Sequence, residues 1–412
     1  MRSSILPKKS LRSTAASPID KRMRVLVTDA EVRKSLGVVR GLGHRHHVLT
    51  ASSSRPALAA WSKYSSAHLR YRWDESFPDW LVATVQEHQV DALVCPQEKT
   101  MVMAGQVYDR LEAAGTRVTF PRPPVIDRAF DKAQTLAIAR EVGIPIPRTV
   151  FLDDPSDAGA AAREIGFPLI VKQRYSNYWT GQTFISSDGT QYAQRSVELD
   201  RIMERHDSRL PLPLLQEFVP GAGLGVFLLL DMQGRTCAEF AHRRIRDIRP
   251  TGSGSVLRES VLVDGRLREL AEALLRKMEW WGVAMVEFRT DERTGGVVLM
   301  EVNGRFWGSL QLALDSGVNF PEMLIDVASG QSPAPPTFHP GVKVRWWLGD
   351  LARTARVLKG RPSGYSGNFP TRWTAVREML GPQPAGTIGE VYRPGDPWPA
   401  AAELLASLKG LL

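Results

Sequence analysis

From Arg24 onward, short apolar runs alternate with helix-like stretches. RVLVTD, HHVLTAS, LRYRW, DALVCP and RVTFP read as strands, with helical segments expected between them around 31–42, 54–63, 77–89 and 99–115. This alternation predicts a doubly wound, mainly parallel sheet over residues 23–123. Such sheets take ligands beyond the carboxyl ends of their strands. The positions to watch are therefore Asp29 and Ala30, Ser52 to Ser54, and Pro96 to Glu98. No G-x-G-x-x-G follows the first strand, which argues against a dinucleotide there.

Beyond residue 124 the rhythm changes. DRAFDKAQTLAIAREV, residues 127–142, predicts one amphipathic helix, stopped by Gly143 and two prolines. FPLIVKQR is a strand run carrying Lys172, and LLQEFVPG, residues 214–221, is an extended segment ended by Pro220. DMQGR joins two strand runs, the second leading into an Arg-dense segment and the loop TGSGS. A helix is expected over 264–281, then a hairpin in which VAMVEF and GVVLMEV flank the polar connection DERTGG. FPEMLIDVASG reads as a short closing helix. The remainder, 331–412, starts Pro-rich, contains the strand-like KVRWWLGD, and ends in a helix with Asp396 as N-cap and Pro397 at its first position. The expected class is α/β: an N-terminal doubly wound parallel sheet, an α+β domain over 124–330, and a C-terminal α/β extension.

Composition changes this picture little. Apolar residues make up 43% and charged residues 24% of 412, ordinary globular values. No apolar run approaches the roughly 20 residues of a membrane span. Of the net charge of +9, +5 falls in residues 1–22, which hold six Lys or Arg and one Asp. That segment has no apolar stretch typical of a secretory signal and is expected to be a disordered basic tail. The remaining +4 weakens a nucleic-acid reading. Two cysteines, Cys95 and Cys237, cannot build a disulfide framework and fit a reducing cytoplasm. His44, His46 and His47 are expected as solvated turn residues at a helix-to-strand junction.

The chemistry concentrates in the hairpin. Symmetry about Thr294 sets Glu287 opposite Glu301, and directly opposed carboxylates repel unless something compensates. A divalent cation bound by oxygen ligands is the usual compensation. Asn303, two residues past Glu301, faces the same way and adds a third oxygen, and Arg305 follows on that side. Two carboxylates, an amide and a guanidinium on one sheet face describe a Mg²⁺ and phosphate site better than a packing surface. Along the Arg-dense strand, alternation puts His242, Arg244 and Arg246 on one face and Arg243 on the other. Guanidinium groups beside a Gly/Ser loop suit a carboxylate or a phosphoryl group in transfer.

The string E-x13-E-x-N-G-R resembles the metal-binding end of the ATP-grasp superfamily, in particular its carboxylate–amine ligases. Lys132, Lys172 and Q-E-F-V precede it in the family's order. The resemblance implies a pre-ATP-grasp Rossmann-like domain followed by an ATP-grasp domain, with Lys132 and Lys172 on ATP phosphate. By the same resemblance, the Glu217 carbonyl and the Val219 N–H pair with adenine, and Glu287, Glu301 and Asn303 hold Mg²⁺, with Mn²⁺ an alternative. Arg305 and Arg244 would stabilise reacting groups. Two departures stand out. Gln173 and RYSNYWTGQT replace the family's Pro and Gly-rich phosphate loop, and GAGLG offers no acid for ribose. The expected activity joins a small carboxylate to an amine through an acyl phosphate, releasing ADP and phosphate. A carboxylase, a kinase, or an ATP-binding regulator without turnover are the alternatives, and a homodimer is left open.

Overall fold

A computed structural model describes residues 22–187, 189–250, 254–362 and 368–410. The basic tail, apart from Arg22, and residues 251–253 of the TGSGS loop lie outside the described residues.

Five strands, β1 (Arg24–Val27), β2 (His47–Ser52), β3 (Ser65–Arg70), β4 (Ala92–Val94) and β5 (Arg117–Val118), form a parallel sheet in the order β3-β2-β1-β4-β5. The central strands read VLV and ALV without alternation and are fully buried, as a sheet covered on both faces requires. The expected strand LRYRW is displaced: β3 ends at Arg70, and Tyr71 leaves the sheet to pack against Phe77 and Trp80. The helix expected over 54–63 is reduced to a short 3₁₀ turn, Leu58–Trp61, and that over 99–115 is divided into Glu98–Gly105 and Tyr108–Ala113. His46 is buried and accepts a bond from the Met23 N–H at 3.3 Å, against the solvated role expected of it.

The second part contains β6 (Thr149–Phe151), β7 (Leu169–Lys172), β8 (Asn177–Trp179), β9 (Phe184–Ser186), β10 (Thr190–Ala193) and β11 (Leu214–Glu217). Four of them form an antiparallel sheet, β10-β7-β11-β6, while among the described residues β8 and β9 pair only with each other. The single helix expected over 127–142 is two, Pro123–Phe130 and Lys132–Glu141. Asp131 interrupts them in an extended conformation, and its carboxylate caps the second helix through the Ala133 N–H at 2.9 Å. Arg174 pairs with the same buried carboxylate, so the break is held by a charge-assisted contact rather than by Gly or Pro.

A seven-stranded sheet follows, built from β12 (Gly223–Leu230), β13 (Thr236–Asp247), β14 (Ser255–Val261), β15 (Gly282–Thr290), β16 (Val297–Asn303), β17 (Lys343–Arg345) and β18 (Thr387–Gly389). Its order is β16-β15-β12-β13-β14-β17-β18, so two short strands from the last 82 residues complete the edge. Their attachment is ionic as well as apolar. The buried Asp350 carboxylate accepts from Arg345 at 2.7 Å and from Arg246 of β13 at 2.5 Å. Asp396, expected as a helix cap, instead binds Arg40, Ser62 and the Lys63 N–H, and the last helix runs Trp398–Leu408.

The N-terminal sheet is locked to the rest through helix Arg33–Leu42. Its Gly37 and Gly41 lie four apart on one face. A Cβ at Gly37 would come 3.1 Å from the Leu310 side chain, and one at Gly41 would come 2.7 Å from Asn319 Oδ1 and 3.0 Å from Pro321. Asn319 also donates to the Gly41 carbonyl at 2.8 Å. Replacing Gly41 by Leu is expected to lower stability by about 1–3 kcal/mol through overpacking. Urea unfolding checks this, and an unchanged midpoint would show that the helix does not sit so closely.

Candidate active site

The β15–β16 hairpin is closed by Asp291 and Gly296, and Thr290 pairs with Val297. One residue, Met300, has no partner. This bulge shifts the register so that Glu287 lies opposite Glu301, with Val286 opposite Val302 and Met285 opposite Asn303. A one-residue slip would put Glu301 on the other face. The facing acids expected from hairpin symmetry are therefore present, produced by a bulge that the symmetry does not contain. Asn303 Nδ2 donates to Glu301 Oε1 at 3.2 Å, and Arg305 Nη2 donates to Asn303 Oδ1 at 2.9 Å.

On the inner side of Glu287 its ladder partner in β12 is Gly225, which has no side chain to crowd it. Arg244 of β13 uses this opening: its guanidinium reaches Glu287 at 3.3 Å, and a Cβ at Gly223 would stand only 3.6 Å from it. The other basic residues of that strand do not join. Arg243 is exposed and pairs with Glu259, Arg246 is taken by Asp350, and His242 meets Ser309 and the ring of Phe227. The shared face expected for His242, Arg244 and Arg246 is thus interrupted, because the β13–β14 register shifts between Arg244 and Asp247.

Lys172, at the end of β7, crosses from the four-stranded to the seven-stranded sheet. Its ammonium donates to the Met300 carbonyl at 3.0 Å, at the bulge, and stands 3.8 Å from Glu301 Oε2. Burial pushes the lysine's pKa down, and Glu301 pulls it back. The two acids are held differently. Burial and the neighbouring Glu301 push the Glu287 carboxyl up. Burial acts the same way on Glu301, but Lys172 and Lys132 outweigh it and hold that carboxyl well down. Lys132 is the first residue of its helix, with its ammonium 3.2 Å from Ser176 Oγ. The Glu217 side chain is committed to Arg148 and Arg293, its N–H donates to the Arg148 carbonyl at 2.9 Å, and Val219 is buried just before the chain enters β12. The structure thus brings Lys172, Glu287, Glu301, Asn303, Arg305 and Arg244 together. Glu217 and Val219 lie on the connection between the two sheets.

Two further residues were not singled out by role. Glu98, within the watched loop end after β4, accepts from Arg305 Nε at 3.1 Å and from Asn177 Nδ2 at 3.0 Å. Lys34, in the first turn of helix Arg33–Leu42, faces the same space. A lysine there opposes the helix dipole and is the one sequence signal that could have marked it. With Gln97, Lys99, Ser176, Asn177 and Arg305, these residues line a cavity of about 270 Å³.

The donor set suits Mg²⁺ or Mn²⁺: hard oxygen ligands from two carboxylates and an amide, with one acid, Glu287, carrying a charge its surroundings disfavour. Among the described residues no group of three or more His, Cys, Asp or Glu could hold an ion. Such a cation would therefore share its coordination with phosphate and water. Also among the described residues, no helix is long and apolar enough to cross a membrane.

A family described as "ATP-grasp in the biosynthetic pathway with Ter operon" matches residues 210–349. D-alanine–D-alanine ligase of Pseudomonas fluorescens is 29% identical over 127 residues, covering 31% of this chain and 37% of that enzyme. The Pseudomonas entomophila enzyme is 27% identical over 237 residues, covering 56% and 68%. The matched stretch thus spans between about a third and two thirds of these relatives' lengths. The biotin carboxylase domain of Hydrogenobacter thermophilus 2-oxoglutarate carboxylase, solved with MgADP and bicarbonate, superposes with a TM-score of 0.63 at 16% identity. That superposition covers 78% of this chain and 74% of the other. Fold, motif order and relatives coincide: residues 210–349 match an ATP-grasp family, and the chain shares the fold of solved ATP-grasp-like carboxylase domains.

Proposed function

We propose that the protein is an ATP-dependent carboxylate–amine ligase. The observation that carries this reading is the facing pair Glu287 and Glu301, continued by Asn303 and Arg305 and met from the second sheet by Lys172. Lys132 and Lys172 bind the phosphates of ATP, and the backbone at Glu217 and Val219 binds adenine. Glu287, Glu301 and Asn303 would hold Mg²⁺ or Mn²⁺, which would supply charge to offset that of the phosphates. A substrate carboxylate oxygen attacks the γ-phosphorus, ADP departs, and an acyl phosphate remains. The amine then attacks the acyl carbon, phosphate leaves, and the amine's proton is lost to solvent. Arg305 and Arg244 stabilise negative charge on the acyl group through both steps. No protein nucleophile is required. The similarity to D-alanine–D-alanine ligases supports a small acid and a small amine as substrates. Cys95 and Cys237 are both unpaired, which supports the reducing cytoplasm as the compartment.

Three outcomes are expected. Glu301→Gln should abolish Mg²⁺-dependent ADP release while the circular dichroism spectrum stays native, and full turnover in that variant would remove the site assignment. Lys172→Ala should weaken ATP binding roughly 10- to 100-fold, the loss expected for a charged hydrogen bond. Calorimetric titration checks this, and an unchanged affinity would exclude the phosphate role. Glu287→Gln removes one of two facing charges. Without divalent cation this variant should be at least as thermally stable as the native protein, and it should lose the rise in Tm that Mg²⁺ gives. A native-like Mg²⁺ response would show that Glu287 binds no cation.

A further inference from the structure

The ligase reading uses one side of Arg305. Its other side forms a wall of the cavity lined by Lys34, Glu98 and Lys99, and the charges there do not balance. Both oxygens of Glu98 are occupied, one by Arg305 and the other by Asn177. Glu98 and Arg305 therefore offset each other, and each Glu98 oxygen already has a donor within the protein. Lys34 and Lys99 remain. Neither makes a hydrogen bond or ion pair among the described residues, and Lys99 only lies 5.7 Å over the ring of Phe184.

Lys34 is also held where its charge is disfavoured. Burial and the nearby Arg305 push its pKa well down, and Glu98 and Asp29 oppose this without cancelling it. Gly37 and Gly41 pack its helix tightly, so the helix cannot easily swing away to relieve the lysine. Two helices begin at this cavity, Arg33–Leu42 and Glu98–Gly105, and neither has a side chain capping its first turn. Their dipoles add to the positive potential of the two lysines. An anion is the ligand that this combination recognises.

The cavity adjoins the reacting centre on two sides. Arg305 links it to Asn303, and Ser176 links it to Lys132. A substrate with its reacting carboxylate beside Arg305 and Lys132 would extend into the cavity and end near Lys34 and Lys99. Resting on the ligase reading, we infer that the acid substrate is a dianion, whose second anionic group, a carboxylate or a phosphate, is bound by Lys34 and Lys99.

The experiment uses the full chain with ATP, Mg²⁺ and a mixture of amino acids and ammonia as amine donors. Acids are offered in matched pairs: succinate against butyrate, glutarate against valerate, and 3-phosphoglycerate against glycerate. ADP release should favour at least one dianion over its monoanionic match by tenfold or more in KM. The pair showing the preference separates carboxylate from phosphate. Lys34→Met with Lys99→Met should raise KM for that dianion at least tenfold, as expected from losing charged hydrogen bonds, and leave KM for ATP unchanged. Monoanions used equally well, or an unchanged KM in the double variant, would overturn the inference. If no acid releases ADP, the ligase reading fails separately, and thermal shifts with the same acids in ADP and Mg²⁺ decide the anion site. A rise in Tm with a dianion in the native chain but not in the double variant supports it. No rise with any dianion overturns it.

Discussion

Two carboxylates placed face to face on adjoining strands are a liability that the surrounding structure is arranged to manage. Coulomb repulsion at such separations is modest in water but several-fold larger where water is largely excluded. The protein meets it with cations brought from separate elements: Lys172 from the four-stranded sheet, Arg244 from across two glycines, and Lys132 from the start of a helix. These groups do not neutralise the pair evenly. Glu301 receives most of the compensation, whereas burial and the neighbouring Glu301 push the Glu287 carboxyl up. Ionisable groups with perturbed protonation concentrate at functional sites, and this asymmetry supports the assignment of a candidate site here.

The same requirement explains how the two sheets meet. β7 and β16 belong to different sheets, yet Lys172 bonds the Met300 carbonyl at the hairpin bulge. The bulge serves two purposes: it turns Glu301 towards Glu287, and it leaves a backbone acceptor where the lysine arrives.

Much of this was legible in the chain because it depends on local periodicity. Glu287 and Glu301 follow from two apolar runs about a short polar turn, and Asn303 and Arg305 from alternation beyond it. The doubly wound sheet follows from the regular spacing of RVLVTD, HHVLTAS and DALVCP. What was not legible depends on distant partners. The amphipathic pattern runs unbroken through Asp131, and only Arg174, 43 residues away, reveals why the helix stops there. Lys34 and Glu98 gain their meaning from Arg305, more than 200 residues later in the chain. The strands β17 and β18 have three residues each, too few to show a period, and their place at the sheet edge depends on Asp350 meeting Arg246.

The walls of the cavity beside Arg305 differ in mechanical character. Lys34 stands on a helix whose glycines are in close contact with the segment after β16, and Arg305 stands on that segment, so these two walls are packed directly together. The opposite wall is formed by Ser176 and by Asn177 of the β8–β9 ladder, which among the described residues shares no strand pairing with either large sheet. It is held by side-chain contacts such as Asn177 with Glu98 and Phe184 with Trp73. A ladder so attached is the least costly part of the enclosure to displace. The cavity thus combines two walls joined by close packing with one wall tied to them through side chains. Lys132 bonds Ser176 on that wall, so the group proposed to hold phosphate also helps to fix one side of the cavity.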